Sequence, residues 1–162
     1  MIYYLSLGAN LGNREQTISR ALEQLEQHAG KVLRCSNLYY SSPWGFESAH
    51  DFCNVCCAVV SELSPLEMLH ATQAVERTLG RTHKTLNGHY QDRTIDIDLI
   101  RAFDDAGNEI CCLIPNDQSP VSDQKSPISN VPLLSLPHPL WQQRDFVRIP
   151  LGEILDIDVN SL

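Results

Sequence analysis

Asp96 and Asp98 stand two residues apart in Gln91-Asp92-Arg93-Thr94-Ile95-Asp96-Ile97-Asp98-Leu99-Ile100, an arginine followed by two carboxylates inside an apolar run. The β-branched, alternating pattern predicts a strand. Side chains on a strand point to opposite faces in turn, so the two acids share one face while Ile95, Ile97 and Leu99 anchor the other to a core. Two charges so placed, about 6–7 Å apart at an effective dielectric near 20, repel by about 2–3 kcal/mol. A divalent cation between or beside them relieves that repulsion. Oxygen-only ligands suit Mg²⁺, which keeps several waters and shares phosphate oxygens with its protein ligands. The competing account is a solvated strand face carrying two harmless acids, and a three-residue pattern is too short to decide between them.

The surroundings add chemistry. Arg77, Arg81, Lys84 and Arg93 fall in one short span before the acids, a local cationic cluster that suits a small polyphosphate better than a polymer, although any one of them alone reads as ordinary surface charge. Net charge is −8, which argues against nucleic acid as the main partner because phosphate-backbone binding needs a dense cationic surface. Ser41-Ser42-Pro43-Trp44-Gly45-Phe46 is a turn-rich loop with two large aromatics. Such a loop serves as a ligand wall or packs back on its own sheet, and both readings stay open.

The elements that must hold these residues are legible in outline. At 162 residues, with 43% hydrophobic and 20% charged content, the chain is expected to form one domain with a real core. No apolar run reaches membrane-spanning length and the first residues read as a strand, so a cytoplasmic protein without a membrane partner is expected. A strand over Ile2 to Leu7 leads through Gly8-Ala9-Asn10-Leu11-Gly12 into a helix capped by Asn13, with Ile18, Ala21, Leu22 and Leu25 as its buried stripe and Gly30 at its end. Strands are predicted from about Lys31 to Tyr40 and from Phe52 to Ser61. Ser64-Pro65-Leu66-Glu67 starts a second helix with cap, N1 proline and capping-box glutamate, and Met68, Thr72, Val75 and Leu79 face inward. Gln73 and Glu76 lie on another face of it.

Residues 104–135 are rich in Pro, Ser, Asp and Asn and read as a long excursion, with one short strand over Glu109 to Ile114. A last short helix is expected near Leu151 to Leu155. The order β-α-β-β-α-β predicts an α+β fold, a ferredoxin-like sandwich on a mainly antiparallel sheet. Cys53 and Cys57 fall on one strand face and Cys56 on the other; with Cys111-Cys112 adjacent, the spacing suits small buried hydrophobes better than a zinc knuckle.

Taken in order, several strings resemble the 6-hydroxymethyl-7,8-dihydropterin pyrophosphokinase family of folate biosynthesis. They are Leu7-Gly8-Ala9-Asn10-Leu11-Gly12, Ser42-Pro43-Trp44-Gly45, Asp51-Phe52-Cys53-Asn54, Glu76 with Arg81, and Asp92-Arg93-Thr94-Ile95-Asp96-Ile97-Asp98. Pro137-His138-Pro139, Arg144-Asp145-Phe146 and Pro150-Leu151-Gly152-Glu153-Ile154 complete the set. The resemblance implies transfer of pyrophosphate from ATP to the hydroxymethyl group of a reduced pterin, leaving AMP. It implies two Mg²⁺ ions held by Asp96 and Asp98, with Arg81 and Arg93 steadying the phosphates. Gln73, Glu76, Lys84, Tyr90, His138 and Arg144 fall on the nucleotide side, and Leu99 matches a backbone contact to adenine. On the pterin side, Asn54 matches the amide that reads the ring edge. Phe52 and Phe146 match the aromatics that sandwich the ring, and Ser41, Ser42 and Trp44 belong to the loop that supplies backbone contacts. ATP and a reduced pterin are the expected partners of a monomer.

The sequence also departs from the family. Tyr90 stands where a tryptophan is common, and His83, next to Lys84, replaces a frequent arginine. The loop from Arg81 to Arg93 is about two residues longer than usual, Pro139 replaces a frequent tyrosine, and residues 104–135 outgrow the usual hairpin. These changes motivate an alternative: a divergent member that binds pterin or nucleotide with little turnover, or that uses another pterin. A nucleotidyl or glycosyl transferase built on Asp-x-Asp ranks last, because Asn54, Phe52 and Phe146 would then have no role.

Overall fold

The computed structural model describes residues 1–80, 94–116 and 132–155. In chain order these form β1 (Ile2–Ala9), α1 (Arg14–His28), β2 (Lys31–Cys35), β3 (Tyr39–Ser41), β4 (Phe52–Val60), α2 (Pro65–Thr78), β5 (Asp96–Phe103), β6 (Cys112–Ile114), β7 (Leu134–Leu136) and α3 (Asp145–Gly152). The main sheet runs β2-β4-β1-β5, with β3 also paired to β4, and every pairing is antiparallel. This is the expected mixed fold on an antiparallel sheet.

Local chemistry explains the first two helices. Asn13 caps α1 by accepting from the Gln16 N–H, and Ile18, Ala21 and Leu25 are buried. Gly30 ends it at φ +148°, where a side chain would run into the Val60 carbonyl. Ser64 and Glu67 close a reciprocal capping box on α2, which buries Met68, Leu69, Thr72, Val75 and Glu76. Both helices cover one face of the sheet, packing on Tyr3, Leu5, Leu7, Val55, Cys57, Val59, Ile97 and Leu99. Cys53 and Cys57 lie on this side and Cys56 on the other, all three buried, with burial pushing their thiol pKa values up.

The other face is covered over part of its length. Ile2, Tyr4, Cys56, Ala58 and Ile100 pack against Val147 and Leu151 of α3 and Ile154 just beyond it. Toward the end of β1, nothing in that apolar cluster extends over Gly8 and its neighbours.

Four expectations need correction. The strand predicted from Lys31 to Tyr40 is two strands. Ser36 donates its N–H to Cys56 O, but its Oγ, not its carbonyl, accepts the Cys56 N–H, and Asn37 turns away to the Glu153 carboxylate. A side chain that replaces a ladder bond interrupts the strand. The last helix spans Asp145–Gly152, not Leu151 to Leu155, and Pro150 lies inside it. Burial of Val147, Pro150 and Leu151 holds eight residues helical despite the lost N–H.

The excursion also differs from expectation. Glu109 makes an isolated bridge to Phe103, and the strand proper is Cys112–Ile114. It pairs with β7, an alternating Leu-Ser-Leu whose two leucines are buried and which the sequence reading did not pick out. The strand carrying the acids begins at Asp96 and runs on to Phe103; residues 91–93 of the predicted segment lie outside the described residues.

Candidate active site

The register builds the site. Gly8 faces Asn54 on one side and Asp96 on the other, and Ser6 faces Cys56 and Asp98 in the same way. Residues directly opposite one another share a face. Asn54, Gly8 and Asp96 therefore form one row across three strands, and Cys56, Ser6 and Asp98 form the next. Both rows lie on the α3 side, beyond or at the edge of its apolar cover.

Asp96 and Asp98 are half-buried, and Ile95, Ile97 and Leu99 are buried on the opposite face, as the alternation predicts. Glu76, 4% exposed on α2, accepts the Ile97 N–H at 2.7 Å. The expected nucleotide-side residue thus grips the strand backbone between the two acids, fixing where they project. Leu99 buries its side chain in the helix-facing core, so what it offers a ligand is backbone. Gln73 is half-buried on α2. Arg81, Lys84, Tyr90 and Arg93 lie outside the described residues.

The acids supply hard oxygens on an exposed strand edge, with the Asp98 side chain 37% exposed. Among the described residues no group of three His, Cys, Asp or Glu side chains could hold a metal. A cation at this pair would complete its shell with water and ligand oxygens, which is how Mg²⁺ behaves. The donor set fits that ion.

At the other end of the row, Asn54 is 2% exposed and its Nδ2 donates to Tyr39 O at 3.0 Å and to Ser41 Oγ at 2.9 Å. Both amide hydrogens are engaged, which fixes the amide and turns Oδ1, an acceptor, toward Gly8. A methyl group on Gly8 would come within 3.0 Å of that Oδ1 and 3.6 Å of Phe52, so glycine keeps the floor of the row clear.

Ser42 is exposed just past β3. The aromatics of its loop divide the two readings left open by the sequence. Phe46 packs back edge-on against Phe52, ring centroids 6.1 Å apart. Trp44 is 38% exposed and has the Arg144 guanidinium 4.7 Å from its ring. The far end of the loop is tied by Asn10 Nδ2 to His50 O and by Arg14 to Asp51 O.

Arg144 is buried at the N-terminus of α3, with Nη1 3.7 Å from Asp98 Oδ2 and the Phe146 ring 6.0 Å from its Cζ. Expected on the nucleotide side, it lies among the pterin-side aromatics as well. His138 donates its N–H to Ile100 O, and its Nδ1 accepts from Leu140 N at 3.2 Å, which leaves Nε2 as the N–H donor. Burial pushes its pKa down to about 4; the Arg144 guanidinium acts in the same direction and Asp96 against it. At neutral pH His138 is a neutral donor.

Sequence reasoning missed the Gly8 floor, the Glu76 grip on Ile97 and the Trp44–Arg144 stack. All three depend on register and long-range packing. The glycine of Leu7-Gly8-Ala9 was the one visible signal, a residue that weakens a strand unless something must approach closely.

Residues 4–156 match the family profile of 7,8-dihydro-6-hydroxymethylpterin-pyrophosphokinase (HPPK). The chain is 46% identical over 153 residues to the 2-amino-4-hydroxy-6-hydroxymethyldihydropteridine pyrophosphokinase of Porphyromonas gingivalis, covering 94% of this chain and 90% of that one. It is 33% identical to the protein of the same name from Bacillus subtilis over 154 residues, covering 94% and 77%. A crystal structure of HPPK-DHPS in complex with substrates shares the fold at a TM-score of 0.62 and 14% identity, over 94% of this chain and 40% of that one. The chain belongs to the 7,8-dihydro-6-hydroxymethylpterin-pyrophosphokinase family.

Proposed function

We propose that the protein transfers pyrophosphate from ATP to 6-hydroxymethyl-7,8-dihydropterin, giving AMP and the pterin diphosphate for folate biosynthesis. Family membership carries the reaction, and nothing in the site favours the weaker binder or the transferase of another class. The observation that carries the assignment of residues is the row Asn54–Gly8–Asp96. Two strand spacings separate its ends, about 10 Å. That span leaves room for a flat bicyclic ring with its hydroxymethyl arm reaching toward the acids.

In this reading the pterin lies over Gly8, its edge donating to Asn54 Oδ1, with Phe52 and Phe146 against its faces and the loop of Ser41, Ser42 and Trp44 along its rim. Asp96 and Asp98 would hold Mg²⁺, two ions by family resemblance. When bound, the metal supplies positive charge to oxygens that gain charge as the β-phosphorus is attacked. The hydroxymethyl oxygen bonds to the β-phosphorus as the bond from that phosphorus to the α-phosphate oxygen breaks. The hydroxyl proton passes to solvent, and AMP departs with the former bridging oxygen. By family resemblance Arg81 and Arg93 steady the phosphates, and Lys84 and Tyr90 belong to the nucleotide side. Gln73 and the Leu99 backbone lie toward the nucleotide. His138, neutral and donating from Nε2, offers a hydrogen bond to a phosphate oxygen without surrendering a proton.

We take the chain to be one domain, with 104–135 as an insertion, acting as a monomer in the cytoplasm. No helix among the described residues is long and apolar enough to cross a membrane. The test is incubation of purified protein with Mg-ATP and the hydroxymethyl-dihydropterin. Stoichiometric AMP and pterin diphosphate are expected; pterin binding with no AMP would favour the divergent-binder alternative, and pyrophosphate as product would contradict the assignment.

A further inference from the structure

Arg144 stands where the cation end and the pterin end of the site meet. Its guanidinium is buried, with Nη1 3.7 Å from Asp98 Oδ2 and Cζ over the Trp44 ring, 4.7 Å from its centroid. A guanidinium can serve both partners together, because hydrogen bonding and ion pairing use its rim while stacking uses its flat face. The loop is fixed elsewhere by Asn10, Arg14 and the Phe46–Phe52 contact. Trp44 is the residue of the loop whose ring the Arg144 guanidinium lies over.

We propose that Arg144 is a positioning residue that transmits cation loading at Asp98 to Trp44. A divalent ion takes the place of the guanidinium beside Asp98, and the Arg144–Trp44 stack shifts with it, so the pterin-side loop registers the state of the cation site. This rests on the reading of Asp98 as a cation ligand. Coulomb's law gives the reason: a doubly charged ion in direct contact with the carboxylate outcompetes a single charge held at 3.7 Å, and then repels it.

The chain has two tryptophans, Trp44 and Trp141, so Trp141→Phe leaves Trp44 as the sole emitter. In this background Mg²⁺ alone is titrated while Trp44 emission is followed, and Mg²⁺ occupancy is read separately by its displacement of Mn²⁺ in electron paramagnetic resonance. The emission change is expected to saturate at the same midpoint as the displacement. Arg144→Met should abolish the emission response and bind Mn²⁺ several-fold more tightly, because the competing charge is gone. Arg144→Lys, which keeps charge but loses the flat face, should leave Mn²⁺ affinity near the parent value and still lose the response. A parent whose Trp44 emission ignores Mg²⁺ that it binds, or an Arg144→Met variant that responds like the parent, overturns the proposal alone. A parent that binds no Mn²⁺, or an Asp98→Asn variant that binds it as well as the parent, overturns the reading of Asp98 and the proposal with it.

Discussion

The α3-facing side of the sheet has two halves that share strands, alternation and register but not chemistry. One half presents Ile2, Tyr4, Ala58 and Ile100 and is sealed by Val147, Leu151 and Ile154. The other presents Gly8, Ser6, Asn54, Asp96 and Asp98. The difference is set by length. α3 has eight residues and spans about 12 Å, whereas β1 and β4, with eight and nine residues, span about 27–30 Å. Among the described residues, a helix that short seals only part of each strand's length with apolar side chains. The residues beyond it are those we propose to bind ions and a flat heterocycle. Arg144, at the start of α3, marks the border.

The sharpest way to break this comparison is to neutralise the open half. Asp96→Asn or Asp98→Asn should lower turnover by at least about 10²–10³-fold, ~3–4 kcal/mol, on the scale of losing a group that stabilises transition-state charge. The melting temperature should change far less than turnover, since each change relieves carboxylate repulsion while Asp98→Asn also takes a partner from the buried Arg144 guanidinium. Steady-state AMP release and thermal unfolding, measured together, separate the two effects. The opposite change damages the sealed half. Leu151 is fully buried, so Leu151→Ala should lose ~3 kcal/mol of stability in a denaturant titration while the remaining folded protein keeps its Mn²⁺ affinity.

His138 borders both halves and gives a pH signature. Unfolded, it binds a proton below about 6.5; folded, not until about 4. The unfolded state therefore holds more protons between those values, and stability is full above about pH 6.5 and falls as pH drops toward 4. With the discount due to a partly exposed group the contribution is about 2 kcal/mol. His138→Gln should flatten the slope of unfolding free energy against pH across that window. The smallest effect is expected at the floor. Gly8→Ala crowds Asn54 Oδ1 and should raise the pterin KM roughly tenfold, ~1.4 kcal/mol, with the nucleotide KM unchanged.

Much of this was legible in the sequence because it is local. Alternation in Ile95-Asp96-Ile97-Asp98-Leu99 set the faces of β5, and Ser64-Pro65-Leu66-Glu67 set the start of α2. What was not legible depends on partners far along the chain. The break between β2 and β3 is made by Ser36 meeting Cys56, and β7 exists because Cys112–Ile114 is there to pair with it. The last helix begins at Asp145, well before the expected Leu151, because the packing of Val147 and Leu151 carries it through Pro150. Asn54 and Asp96 were each recognisable, but not that Gly8 stands between them.

The central claim is that Asp96 and Asp98 grip the divalent ion on the uncovered part of the sheet. Its most direct test is anomalous scattering from Mn²⁺ in crystals grown with a non-hydrolysable ATP analogue and hydroxymethylpterin. The account predicts a peak within direct coordination distance, about 2.1 Å, of carboxylate oxygens from both residues, with the pterin between them and Asn54. A manganese peak bound elsewhere, with both carboxylates turned to bulk water, would contradict it.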